Sequence, residues 1–313
     1  MKKPILSDYL HLHFIVLIWG FTAILGKFLE PLSSPAVVLF RTGLAAGGLA
    51  LVLYVRKQYY AVSPSDRWRL LATGGLIALH WILFFAAARL ANVSVCLAGM
   101  ATSSLWASLL EPLILKRRVQ LIDVLLGAVV MAGLYLIFRF EFDKIAGLLT
   151  AIVSAMLSSL FTIINSRFSQ RHDALVISFY EMVGAFVGCI AFVGLYIATN
   201  PTLVSTDLLP QTGVQWLCLS LLAFVCTVYA HTAAVGLLRK FSPYLAILTV
   251  NLEPVYGIIL AVLIFGNAER MTAGFYIGTL VILAAVISYP FLSRQRPATT
   301  TPTGGDLEID LTK

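Results

Sequence analysis

Apolar residues in this chain fall in long runs separated by short polar connections. A membrane-spanning helix needs about 20 mostly apolar residues, and runs of that kind lie near positions 10–28, 35–55, 68–88, 92–115 and 121–138. A second five lie near 145–165, 174–198, 211–238, 243–265 and 271–292. None of the connections is long enough to hold a soluble domain. The pattern predicts an all-α integral membrane protein of ten transmembrane helices. Met1-Lys2-Lys3 ahead of an apolar run looks like a secretory signal, but the run lacks a small-residue cleavage site, so it is read as a retained first helix. The Thr, Pro and Gly-rich segment 293–313 reads as a disordered cytoplasmic tail.

Composition agrees: hydrophobic residues make up 59% of 313 positions and charged residues 12%, with a mean hydropathy of +0.91. The bilayer is therefore the first expected partner. A net charge of +7 could suggest nucleic acid, yet the cations sit in small clusters between apolar runs, so nucleic acid is not expected as a partner. Cys96, Cys189, Cys218 and Cys226 lie inside apolar runs without CxxC spacing and read as free thiols. No metal or cofactor motif is present.

The clusters alternate. One set of connections holds Lys2, Lys3, Arg56, Lys57, Arg67, Arg69, Lys116, Arg117, Arg118, Arg167, Arg171, Arg239, Lys240, Arg294 and Arg296; the other holds Lys27, Arg89, Arg139, Lys144 and Arg270. The positive-inside rule then puts both termini in the cytoplasm, and an odd helix count would scramble the alternation.

An internal repeat accompanies this. At an offset of 140, Phe21-Thr22 and Gly26-Lys27-Phe28 meet Phe161-Thr162 and Ser166-Arg167-Phe168, and Gly43/Gly47 fall one residue from Gly184/Gly188. Because five spans separate the matched helices, the halves 1–140 and 141–292 run in opposite orientations, as two inverted five-helix repeats. Aligning Ser94 with Ser242 pairs Trp106 with Pro254, so Leu110-Glu111-Pro112 and Leu252-Glu253-Pro254 are not equivalent, and only Glu253 is expected deep in its helix.

Ile18-Trp19-Gly20-Phe21 with Lys27, Phe40-Arg41, and Glu253-Pro254 through Phe265-Gly266, in this order and spacing, give a chain that resembles the EamA-domain family of the drug/metabolite transporter superfamily. The resemblance covers nearly the whole chain. It implies secondary transport of amino acids, nucleosides or other metabolites, often outward, without a nucleotide. Trp106 departs from it, standing where the ninth helix has Pro254 and family members often have proline.

An ionised side chain at mid-membrane costs about 2.5–3.5 kcal/mol on insertion scales, so Arg41, Glu181 and Glu253 need partners, water or a changed protonation state. Each is a candidate substrate ligand or gate, and each could equally pair with a neighbour and brace the bundle. Pro254 lacks an amide proton and so frees the Val250 carbonyl beside Asn251, making a polar kinked patch around Glu253. That carboxylate is a candidate for binding a substrate amine or for proton coupling. His80, at the middle of the third run, is a candidate ligand or proton relay, and His231, near Tyr229 in the eighth, a weaker one. Trp19, Trp81 and Trp106 fall near mid-depth instead of at the interfaces, as cavity walls or as packing. Ser154, Ser158, Ala155 and Ser159 have small-xxx-small spacing and read as packing. The candidate site is thus Glu253, Asn251, Glu181, Arg41, Trp19, Trp106, His80 and Tyr229, with Pro254, Gly20, Gly43 and Gly184 as hinge or gate positions.

The leading expectation is an exporter of amino acids or related compounds in the inner or plasma membrane, working by alternating access, with protons as a candidate coupling ion. An intramembrane enzyme is the main alternative, disfavoured because HExxH, GxSxG, P-loop and GxGxxG patterns are all missing. A sensor or lipid-handling protein is the other. Sequence does not assign an oligomeric state.

Overall fold

The computed structural model describes residues 4–57, 62–116, 121–140, 142–199 and 205–293, so the predicted tail lies, beyond Ser293, outside the described residues. The described residues form helices joined by short turns. Helix α1 is split into α1a (Leu6–Gly20) and α1b (Thr22–Phe28), followed by α2 (Ser34–Val55) and α3 (Pro64–Leu90). Next come α4a (Val93–Met100), α4b (Ser103–Leu115), α5 (Leu121–Phe140), α6 (Ile145–Phe168) and α7 (Ala174–Thr199). Helix α8 runs Gly213–Leu237 with a π-helical stretch at Leu221–Tyr229. It precedes α9a (Pro243–Val250), α9b (Glu253–Phe265) and α10 (Ala273–Ser293).

Eight of these units are long and apolar enough to cross a membrane; α5 and α10 hold shorter apolar stretches, Leu125–Ile137 and Ala273–Ala285. The outer surface is apolar too: Leu51, Leu113, Leu195, Leu263 and Leu280 are all more than half exposed. In water such a surface would aggregate, whereas in lipid it is solvated.

The two halves repeat in detail. Helices α4 and α9 each consist of 8 residues, a two-residue interruption and 13 residues. Their N-caps are Asn92, whose side chain accepts from the Val95 amide, and Ser242, which accepts from Leu245. The register is therefore 150, pairing Asn92 with Ser242 and Ser104 with Pro254. This corrects the sequence alignment, which paired Ser94 with Ser242 and Trp106 with Pro254. Its conclusion stands, since Glu111 still has no counterpart in Glu253.

At the start of each half the register is 140, because α2 begins at Ser34 and α7 at Ala174. Arg41 and Glu181 are then equivalent, but the glycine pairs are not. The Arg89 guanidinium donates to the Leu29 carbonyl at 3.5 Å, and Arg239 donates to Ser169 at 2.6 Å. Each arginine thus holds the turn after the first helix of its half, a repeat invisible at a single offset.

Gly184 was a predicted hinge, but it sits where α7 presses on α3. A Cβ there would fall on the Leu71 carbonyl oxygen, and one on Gly74 would fall on the Glu181 carbonyl. Small residues let these helices approach backbone to backbone. A Cβ on Gly43 would lie 2.9 Å from the Phe186 ring, so this too is a packing position. Gly184→Ala is expected to cost about 1–3 kcal/mol or more through overpacking. Thermal unfolding in detergent should show this as a lowered midpoint, with Gly47→Ala, which has open space, unchanged.

Candidate functional site

Three helices are interrupted at similar depth, each by a turn in which an i→i−3 bond replaces the α-helical pattern. The donors are Phe21 to the Ile18 carbonyl at 3.2 Å, Thr102 to Gly99 at 3.1 Å and Leu252 to Thr249 at 3.1 Å. In α9 the cause is Pro254, whose ring nitrogen offers no proton; the helix stops for two residues where sequence predicted a kink. In α1 and α4 the freed carbonyls are met by hydroxyls instead. Thr22 donates to Trp19 at 2.6 Å, Thr102 to Gly99 at 2.8 Å and Ser103 to Met100 at 2.6 Å. Such back-bonding makes irregular backbone tolerable away from water. The interruptions meet: a Cβ on Gly20 would lie 3.1 Å from the Tyr256 Cβ, and one on Gly257 would lie 3.2 Å from the Gly20 carbonyl oxygen. Gly20 is therefore a close-approach position between α1 and α9b.

Beside these interruptions lies a cavity of about 100 Å³, room for several waters. Arg41, Glu253, His80, Trp19, Trp81 and Thr22 line its inner end. From there it runs toward the face of the bundle that carries Lys240, reaching Asn165, three residues before the end of α6, and Ala246, three residues into α9a.

Arg41 is 2% exposed and its guanidinium carbon stacks over Trp81, 3.6 Å from the ring centroid. Its Nε donates to the Thr227 hydroxyl at 2.9 Å. Thr227 belongs to the π-helical stretch of α8 and donates in turn to Leu222, five residues back, at 2.8 Å. The Trp19 indole N–H is held by the Cys226 carbonyl of the same stretch at 3.1 Å. One wide turn therefore orients both cavity residues. Glu253, 8% exposed, opens α9b and faces Arg41 across the cavity. No carboxylate of the described residues lies within 4.0 Å of Arg41. His80 is fixed by Ser154, whose hydroxyl lies 2.8 Å from Nδ1 and donates to the His80 carbonyl at 2.9 Å.

Not every candidate reaches the cavity. Glu181 is fully buried behind it, with Oε2 at 3.0 Å from Nε2 of His231, which does line the cavity. The His231 ring meets Trp81 edge-on at 6.3 Å. Arg41 on Trp81 and Glu181 on His231 are thus the same second-to-third-helix contact in the two halves. Asn251 and Trp106 sit outside the lining, each with a buried N–H lacking a partner. Tyr229 is 43% exposed on the outer surface, bonded to His11 at 3.0 Å. The lining also contains Ser103, Thr162 and Asn165, which sequence reading passed over, and Ser158, which it assigned to packing. Their signal was faint: Ser103 and Ser158 stand one turn from Trp106 and Phe161, and Asn165 one turn from Phe161 and Phe168.

The opposite face, around Lys27, is tied shut by a residue that sequence reading left in a loop. Glu269 is fully buried, and its carboxylate accepts from the amides of Val93 at 3.2 Å and Ser94 at 2.9 Å and from the Ser94 hydroxyl at 3.0 Å. Lys27 stands 3.7 Å away. A carboxylate from the second half thus caps the N-terminus of α4a in the first, where amides and helix dipole favour negative charge.

Apolar-surfaced helices, interrupted at mid-length around a buried polar cavity that reaches toward one face, define an integral membrane protein of the transporter class. The chain belongs to the EamA-like transporter family, which matches it twice, over residues 9–139 and 145–289. It is similar to a solved structure described only as "Crystal structure of protein", at 16% identity and a TM-score of 0.66 over 93% of this chain and 99% of that one. That likeness shows the fold alone. No curated protein matches the chain.

Proposed function

We propose that this protein exports amino acids or related zwitterions across the inner or plasma membrane by alternating access. In this reading ten helices span the bilayer as two inverted repeats, 1–140 and 141–292, with both termini cytoplasmic. The observation that carries it is the pair Arg41 and Glu253, opposite in charge, buried in one cavity and not joined to each other. A guanidinium is suited to a carboxylate and a carboxylate to an ammonium, so a zwitterion satisfies both groups at once. Trp19, Trp81 and His80 would then enclose the side chain. The cavity reaches toward the Lys240 face, the cytoplasmic one by the positive-inside rule, which favours loading from inside. Proton coupling would run through Glu253, freed to take up a proton when the ammonium leaves.

Binding-induced thermal stabilisation in detergent tests this. A ligand at 100 times its dissociation constant adds about 2.7 kcal/mol, so neutral amino acids should raise the unfolding midpoint. Amines without a carboxylate and acids without an ammonium should not, and Glu253→Gln should abolish the effect. Stabilisation that survives Glu253→Gln would place the ligand elsewhere. Conversion of the ligand to a product without transport would favour the enzyme alternative.

A further inference from the structure

A second concavity lies on the outside of the bundle, at the Lys240 face, between α3 of the first half and α6 of the second. It measures about 580 Å³ and is rimmed by Arg69, Arg167 and Arg171, with Leu76, Ile164 and Phe168 among its apolar walls. We propose that it binds one anionic phospholipid, the phosphate held by the three arginines and an acyl chain lying along the apolar wall.

The groups are placed for that chemistry. Arg69 is the sixth residue of α3, about where a helix leaves the headgroup layer, and Leu76 lies about 10 Å deeper at 1.5 Å per residue. Leu79, 39% exposed, continues that helix toward mid-length. Arg167, in the last turn of α6, spends one donor on the Ile114 carbonyl and keeps the rest of a five-donor guanidinium. The Arg171 side chain makes no hydrogen bond or ion pair among the described residues. The acidic neighbour, Asp66, lies 3.7 Å from Arg69 but already holds His172 at 2.8 Å. One shared carboxylate leaves the groove cationic. A free phosphate would leave the apolar wall uncovered, and an acyl chain covers it. Since Arg69 belongs to one half and Arg167 and Arg171 to the other, the lipid would clamp the halves together in this conformation.

The full-length protein in dodecylmaltoside, titrated with palmitoyl-oleoyl phosphatidylglycerol, provides the test, with phosphatidylcholine of the same chains and inorganic phosphate as the other arms. Phosphatidylglycerol alone should raise the thermal midpoint. A basic residue near an anionic surface contributes about fivefold in affinity, so the triple variant R69Q/R167Q/R171Q should raise the half-saturating concentration on the order of a hundredfold. Leu76→Trp, which fills the groove and keeps every charge, should also remove the preference for phosphatidylglycerol. Equal stabilisation by both lipids, reproduction of the effect by phosphate, or an unchanged titration in both variants would overturn the proposal.

Discussion

Replacing Glu269 by alanine is expected to shift the protein toward a state open at the Lys27 face by about 30- to 150-fold. The residue is fully buried and satisfies two backbone amides and a hydroxyl of α4a, with Lys27 alongside. Hydrogen bonds to a charged group contribute about 1.5–3 kcal/mol, and a buried amide left without a partner costs about as much. In an open state the same amides would meet water, so the penalty of about 2–3 kcal/mol falls on the closed state alone, and 1.4 kcal/mol is a factor of ten. Electron–electron resonance distances between spin labels at Leu90 and Ala268 report it directly. Wild type should give mainly the short, closed distance and Glu269→Ala mainly a longer one. An unchanged distribution would mean that Glu269 only braces a static end of the bundle.

Arg41→Gln should remove binding of zwitterions while leaving the fold largely intact. A glutamine can still donate to Thr227, but it loses the stack on Trp81 and cannot present a charged fork to a carboxylate. The lost charge-assisted bonds correspond to about 2–3 kcal/mol, or 30- to 150-fold in affinity. Arg41→Lys should rescue little, because an ammonium neither stacks as a plane nor bonds in a bidentate way. Isothermal titration with the amino acid that gives the largest thermal stabilisation measures both variants. Affinity within threefold of wild type in Arg41→Gln would remove Arg41 from the site and leave it as a cation that holds α2 to α8.

Much of this was legible in the sequence. Arg41 and Glu253 stood out because a charge in an apolar run must be paid for, and both line the cavity. Pro254 announced its interruption through its missing amide. The breaks in α1 and α4 contain no proline; they rest on Thr22, Thr102 and Ser103 turning back onto carbonyls, and the same residues within regular helices are common. Tyr229 was misplaced for another reason. It closes the stretch of π-helix, where each turn takes up about one extra residue and rotates the later side chains away from the face that an α-helical period assigns. Glu269 could not be found at all from its own surroundings, since its partners Val93 and Ser94 lie in the other half of the chain. The repeat was half-visible, because α7 and the connection that follows it are both longer than α2 and its connection, and together they move the register from 140 to about 150.

Counterflow in proteoliposomes tests the central claim most directly. Vesicles loaded with an unlabelled neutral amino acid and diluted into a trace of the labelled compound should accumulate label transiently with wild type, and not with Glu253→Gln, Arg41→Gln or empty vesicles. Equal accumulation by the wild type and both variants would contradict a transport site built on Arg41 and Glu253.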